Sequence, residues 1–247
     1  VNATTFDFVH REKVPDNLMH LFEDKNNVYL RHSPKYQSGR WNYINDFKEA
    51  VRQSNLQVLT IKDFYQKDGQ HVFTLSKVIS PHQILDKVIE GKSWYDINDP
   101  VHARFQCYKS CVNFSEDPFL EQLGTGWHKL EGEKGNHFRW MQKKAVVYLK
   151  RNSDTRFLEI TGHPVLKYFD DKKLTIAVYI NGLKAGEKVI DKEGGVLFKT
   201  EIPPQLNNPD FFKVEIALDK SYNPARLGIS SDERDLGVYI YKILLSE

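Results

Sequence analysis

Side chains able to handle a ligand gather in two stretches of this chain. GWHKLEGEKGNHFRW (126–140) carries Trp127, His128, Glu131 and Arg139, and PARLGISSDERDLGVYIYKILL (224–245) carries Asp232 and Arg234. An indole ring can lie against the apolar face of a pyranose, and carboxylate and guanidinium groups hydrogen-bond sugar hydroxyls. The same groups have a structural use. A carboxylate in a turn before a strand accepts backbone N–H bonds, and Arg234 can make a forked pair with Glu131 or with a carbonyl. Trp127, in a glycine-flanked turn, suits either solvent or core, whereas Trp140, beside a strand and after Phe138, points to the core.

Other chemistries find less material. The sequence has no G-x-S-x-G elbow and no Asp-x-Asp triplet. Asp170-Asp171, followed by Lys172-Lys173, reads as a solvated turn. His128 and His137 flank a Gly-rich loop, where a surface loop explains them as well as a metal pair does. Cys107 and Cys111 have C-x3-C spacing, which is not that of a zinc knuckle, and on a helix they would share one face without forming an unstrained disulfide. They read as ordinary thiols. No catalytic, cofactor-binding or metal-binding residue is assigned. The alternative is a self-contained enzyme whose site lies between the N-terminal half and the C-terminal domain and uses His20, His32 or His102.

Net charge narrows the partners. Thirty-five basic side chains against 33 acidic ones leave +2, with no basic stretch of the kind that nucleic acid requires. No apolar run approaches the roughly 20 residues of a membrane helix, and no signal peptide opens the sequence, so the expected location is cytoplasmic. The chain also lacks an initiating Met, which suggests the C-terminal part of a longer protein.

The elements that must position these residues fall into three regions. Residues 1–79 read as an α+β part. Phe6 and Phe8 suggest a short strand, Pro15 to Phe22 a helical turn, and Trp41, Ile44, Phe47, Lys48 and Val51 a helix over 41–54. Leu56–Tyr65 and His71–Ile79 are strands around an Asp68-Gly69 turn. Residues 80–123 read as a helical connector, with a helix from Pro81 to Glu90 capped by Ser80 and ended by Gly91. Residues 124–247 read as an all-β sandwich, jelly-roll-like, with seven strands at 143–150, 156–161, 174–180, 187–191, 196–202, 210–219 and 236–245. Asn181-Gly182 is its strongest hairpin signal.

Two resemblances follow. Residues 40–79 resemble the end of a class I S-adenosylmethionine-dependent methyltransferase domain, where a last helix leads into an antiparallel strand pair. That family's Gly-rich cofactor loop has no counterpart here, since the 14 glycines include no G-x-G-x-x-G, and no cofactor residue carries over. The second is carried by Gly126, Trp127, Glu131, Phe138, Arg139 and Trp140, and by Pro224, Gly228, Ser231, Asp232, Arg234, Leu236, Gly237 and Val238. Over about residues 124–247 these resemble the β-sandwich appended to bacterial glycosyltransferases and methyltransferases of surface-polysaccharide clusters. The resemblance implies a non-catalytic accessory module for sugar recognition or domain packing. Its partners would be a glycan or polysaccharide intermediate and an upstream catalytic domain. S-adenosylmethionine would belong to that longer parent and not to this chain.

Adenosine- and pyrophosphate-type ligands are held at a strand–Gly turn–helix junction. Calorimetric titration of S-adenosylmethionine into the chain is therefore expected to show no complex at micromolar concentration; a saturating isotherm would refute the reading.

Overall fold

A computed structural model describes residues 28–32, 56–92, 102–116, 121–206 and 210–247. The chain divides into two compact units, Val1–Ile84 and Leu85–Glu247. In the first, strands β1 (Val28–His32), β2 (Gln57–Tyr65) and β3 (His71–Ile79) form an antiparallel sheet in the order β1-β3-β2. Gly69 takes a positive φ of 83° between β2 and β3, as the Asp-Gly step requires. Phe64 and Phe73 stack across the strand pair with centroids 4.3 Å apart. β2 and β3 match the sequence reading, whereas β1 was not read from the sequence. The helix over 41–54 and the elements over residues 6–22 lie outside the described residues, so this unit is described as a sheet and not as α+β.

Helix α1 (Pro81–Ile89) follows. Proline suits its first position because that N–H has no intrahelical partner. The expected Ser80 side-chain cap is absent: its hydroxyl is buried without a hydrogen bond, and the turn closes through Gln83 N–H to the Ser80 carbonyl, 3.0 Å. The C-terminus ends as expected at Gly91. Lys92 N–H reaches the Lys87 carbonyl and Gly91 N–H the Val88 carbonyl, the paired bonds of a Schellman motif. Among the described residues no helix is long and apolar enough to cross a membrane.

The second unit is a sandwich. Its described strands are β4 (Cys111–Asn113), β5 (Trp127–Glu133), β6 (Asn136–Met141), β7 (Lys144–Lys150), β8 (Phe157–Pro164), β9 (Leu174–Ile180), β10 (Leu183–Ile190), β11 (Val196–Glu201), β12 (Phe211–Leu218) and β13 (Val238–Ser246). One antiparallel sheet runs β10-β9-β12-β7. The other runs β11-β8-β13-β6-β5, with β4 also paired to β13. Strict alternation along β9 and β12 sends Leu174, Ile176, Val178 and Ile180, with Phe212, Val214 and Ile216, into one core. The facing sheet contributes Met141, Leu158, Ile160, Val238, Ile240 and Ile243, all fully buried. Asn181 and Gly182 both have positive φ, 50° and 82°, the twist a two-residue hairpin needs.

Each of the seven expected strands is present, but the hairpin β5–β6 occupies the stretch read as a motif leading into the first strand. WHKLEGE and NHFRWM carry few aliphatic residues, so their period-2 signal is weak. Residues 102–116 also depart from a helical connector. His102–Cys107 is one short 3₁₀ stretch, and Cys111–Asn113 pairs with Lys242–Leu244 of β13. The two cysteines therefore sit in different elements, and no disulfide joins them. Partial burial of Cys111 raises its thiol pKa.

Described residues of 85–92 and 102–108 cover part of the four-stranded sheet. Leu85, Phe105 and Tyr108 bury themselves with Val146, Tyr148 and Phe211. The Tyr148 hydroxyl donates to Asp86 at 2.8 Å, and Lys213 Nζ donates to the other Asp86 oxygen at 2.9 Å. Burial first, then the Asp86 charge, pushes the Tyr148 phenol well above its usual range. Removing residues 85–123 would strip this layer and unpair one edge of β13. Losing the burial of Leu85 and Phe105 alone costs about 3–6 kcal/mol. A chain of residues 85–247 is expected to melt cooperatively, and one of residues 124–247 to melt at least about 10 °C lower. Equal melting temperatures by calorimetry would show that the layer adds no stability.

Candidate functional site

The two motifs meet because their strands are neighbours. β6 pairs antiparallel with β13 through Trp140↔Tyr239 and Arg139↔Ile240, and β5 pairs with β6. The end of β6 thus lies beside the start of β13, and the segment leading into β13 returns across the β5–β6 hairpin. Two motif glycines make this approach feasible. Gly126 has φ +84°, and a Cβ there would collide with the Lys144 carbonyl; at Gly237, whose N–H bonds the Met141 carbonyl at 2.8 Å, it would collide with the Leu218 side chain.

Glu131, Asp232 and Arg234 converge at this junction. Arg234 forks onto Asp232, Nε to Oδ1 at 2.9 Å and Nη2 to Oδ2 at 2.7 Å, while its Nη1 donates to Glu131 Oε1. Asp232 Oδ1 also accepts the Arg234 backbone N–H at 3.0 Å. The forked partner is therefore Asp232, with Glu131 held by the remaining guanidinium arm. The Arg234 hydrogen bonds hold the Asp232 carboxyl down at about 2, and the carboxylates raise the Arg234 pKa. His128 Nε2 lies 3.0 Å from the Asp235 carbonyl, and Arg139 Nη1 donates to the His128 carbonyl at 2.9 Å. Arg139 points inward beside the Phe114 ring, and burial lowers its pKa.

Trp127 is elsewhere. It is 6% exposed, its Nε1–H donates to the Val146 carbonyl at 2.7 Å, and its ring leans on Phe114. It is a core residue and offers no face to a sugar. Trp140, expected in the core, is only partly buried but packs against the core cluster. Met141 and Val238 face the core, so Trp140 and Tyr239 face outward by the pleat, and both are half-buried.

Beside the ion cluster opens a pocket of about 730 Å³, lined by Tyr168, Asp170, Lys220, Tyr222, Arg226 and Asp235 among others. Tyr222 is its buried floor, with the Tyr168 ring 4.8 Å and the Phe169 ring 5.9 Å away. Asn223 braces the wall, donating to the Glu233 carbonyl at 2.6 Å and accepting the Arg226 N–H at 3.0 Å. Asp171 is tied to Lys220 at 2.7 Å, which lowers its pKa; the pair of aspartates read as a solvated turn thus edges the pocket. Burial raises the Tyr222 phenol pKa above its usual range. Tyr168, Asp232 and Tyr239 add to the rise and Arg234 opposes it, so the floor lies within electrostatic reach of the ion cluster.

From that floor a series of rings continues over the outer face of the six-stranded sheet. Trp140 is 6.2 Å from Tyr222 and 4.8 Å from Tyr239, and Tyr239 stacks on His163 at 5.1 Å. Phe138 and Tyr241 lie 4.6 and 5.5 Å from Tyr239. Sequence reasoning missed Tyr168, Tyr222 and Tyr239 as site residues. The available signal was the outward phase of VYIYK, whose tyrosines alternate with buried aliphatics.

Among the described residues no group of three or more His, Cys, Asp or Glu side chains is placed to hold a metal. Of the histidines of the self-contained-enzyme alternative, His20 lies outside the described residues. His32 falls in β1 and His102 in the 3₁₀ stretch, and only their backbone is described.

No protein-family model matches the chain, and no curated protein matches it. Among solved structures, the M60 catalytic domain with the CBM51-1 and CBM51-2 domains from Clostridium perfringens ZmpB is similar at 11% identity and a TM-score of 0.25, over 78% of this chain and 20% of that one. The chain spans a fifth of that protein's length, and a TM-score of this size establishes neither a shared fold nor a shared activity.

The ion cluster has a pH signature. The folded pKa of Asp232, about 2, lies below the unfolded value of about 3.9, so its contribution is complete above that value and is lost as pH falls toward 2. Allowing for solvent screening, it amounts to about 1–2 kcal/mol. The stability difference between wild type and Asp232→Asn, from urea unfolding, is expected to be flat above about pH 5 and to shrink as pH falls. A difference independent of pH down to 2 would mean that the carboxylate is not held this way.

Proposed function

We propose that the second unit is a non-catalytic glycan-recognition module that takes a sugar in the Tyr168–Tyr222 pocket. The observation that carries this reading is the half-buried Tyr168 ring, backed by Tyr222, set among groups that hydrogen-bond hydroxyls. A pyranose has an apolar C–H face and a polar rim, and a pocket that recognises it needs both surfaces. Asp170, Asp235 and Arg226 supply the polar rim. The non-catalytic part rests on the motif resemblance. Cationic partners lower the Asp232 and Asp171 carboxyls, which suits them to a structural role, since a general acid needs a raised pKa.

The cluster of Glu131, Asp232 and Arg234 then acts as the support of the site. It fixes the segment entering β13, and with it the wall at Asn223 and Asp235. The wider setting rests on the motif resemblance alone: an accessory module, attached to an upstream methyltransferase-like or glycosyltransferase domain in bacterial surface-polysaccharide synthesis in the cytoplasm, with S-adenosylmethionine bound by that domain. The test is an array of bacterial glycans probed with the full chain. Wild type is expected to bind a subset, and Tyr168→Ala to lose that binding while still melting cooperatively well above the assay temperature. An array without any bound glycan, or a Tyr168→Ala variant that binds as well as wild type, would refute the proposal.

A further inference from the structure

We infer that the site continues from the pocket along the outer face of β6, β13 and β8, and so takes an internal stretch of a neutral polysaccharide, several sugar rings long, and not a chain end alone. This rests on the glycan reading of the pocket. Three observations carry it.

The first is continuity. Tyr222 is shared: it floors the pocket and touches Trp140, which begins the row on the sheet. The second is the register. Trp140 and His163 are both direct cross-strand partners of Tyr239, so the three rings form one rung across three adjacent strands. Neighbouring strands lie roughly 4.8 Å apart, a spacing close to the size of one six-membered sugar ring. Phe138 and Tyr241 form a second line of rings beside this rung. Met141, Val238 and Ile240 fill the core from the opposite face, and of these rings Trp140 also packs against it.

The third is charge. The carboxylates beside the rings are engaged: Glu131 with Arg234, and Glu193 with His163 and the Leu166 N–H. The pocket itself sets Asp170, Asp171 and Asp235 against Lys220 and Arg226, a balance of one negative charge that disfavours a polyanion. A neutral chain meets rings and hydroxyl-binding groups without a charge penalty.

The test uses the full chain in affinity electrophoresis through gels containing galactomannan, glucomannan, arabinoxylan, dextran, a mixed-linkage β-glucan or, as the polyanion, polygalacturonate. Fragments of the retarding polymer, from monosaccharide to hexasaccharide, are then titrated calorimetrically. A neutral polymer is expected to retard the chain, with hexasaccharide binding at least about tenfold tighter than monosaccharide, as one or two added ring contacts would give. Tyr239→Ala should lose that gain and keep monosaccharide binding, whereas Tyr168→Ala should lose both. Tyr241→Ala, at the margin of the row, repeats the test should Tyr239→Ala fail to fold. Equal affinity for monosaccharide and hexasaccharide would overturn the extended site and leave the pocket reading standing. Preference for polygalacturonate would overturn the neutral chain, and no retardation by any polymer together with an empty glycan array would overturn both readings.

Discussion

Strand β13 must satisfy both of its backbone edges, and the rest of the second unit is arranged around that requirement. Along one edge it pairs with β8 from Val238 to Ser246. Along the other, β6 takes Tyr239 and Ile240, and β4 takes Lys242 to Leu244. An unpaired backbone group buried at the centre of a sheet costs as much as a lost hydrogen bond, so each of these short partners is needed. The strand is also the last in sequence, and its contacts are non-local. The sheet closes only when the segment before it delivers Val238 beside Met141. The Leu236–Tyr222 bridge, the Gly237 N–H to Met141 carbonyl bond and the fork of Arg234 onto Asp232 all act on that segment.

The fold was legible where one side chain in two is an aliphatic residue facing a two-sided core. LTIAVYI, DFFKVEIALD and LGVYIYKILL show that alternation, and Asn181-Gly182 marks its hairpin without ambiguity. The hairpin β5–β6 was not legible because β5 is an edge strand whose far half, Glu131 to Glu133, is half-buried or exposed; polar residues there leave no period. β4 is three residues long, too short for any period. Residues 102–116 lack a helical pattern because successive pieces serve different surfaces: Phe105 and Tyr108 cover the four-stranded sheet, while Val112 and Phe114 enter the main core.

The candidate site shows the same division. Asp232 and Arg234 stand two apart in a turn, and a guanidinium within reach of two carboxylates engages them wherever the turn goes, so that cluster was legible. Trp127 was not, because its inward phase depends on knowing that a strand starts at the residue after Gly126. The pocket was invisible for a different reason. Tyr168 and Tyr222 belong to two separate loops, and their 4.8 Å approach is a product of topology that no local spacing encodes.

The two outer faces of the sandwich are covered in different ways. The four-stranded sheet presents Lys144, Lys213 and Glu215 outward, with ion pairs to Glu215 and Asp86, and covers its apolar patch at Tyr148 and Phe211 with α1 and Phe105. That is how a sheet face is made compatible with water. The six-stranded sheet instead carries Trp140, Tyr239, Tyr241 and Phe138 as half-buried rings that pack against one another. Rings left partly exposed forgo part of the stabilisation that full burial would give, at about 25 cal/mol per Å² left wet. Trp140 also packs against the core through Tyr222, whereas Tyr239, Tyr241 and Phe138 pack on one another over the outer face. This ring surface is continuous with the pocket through Tyr222, whereas the four-stranded sheet is covered by the chain's own residues.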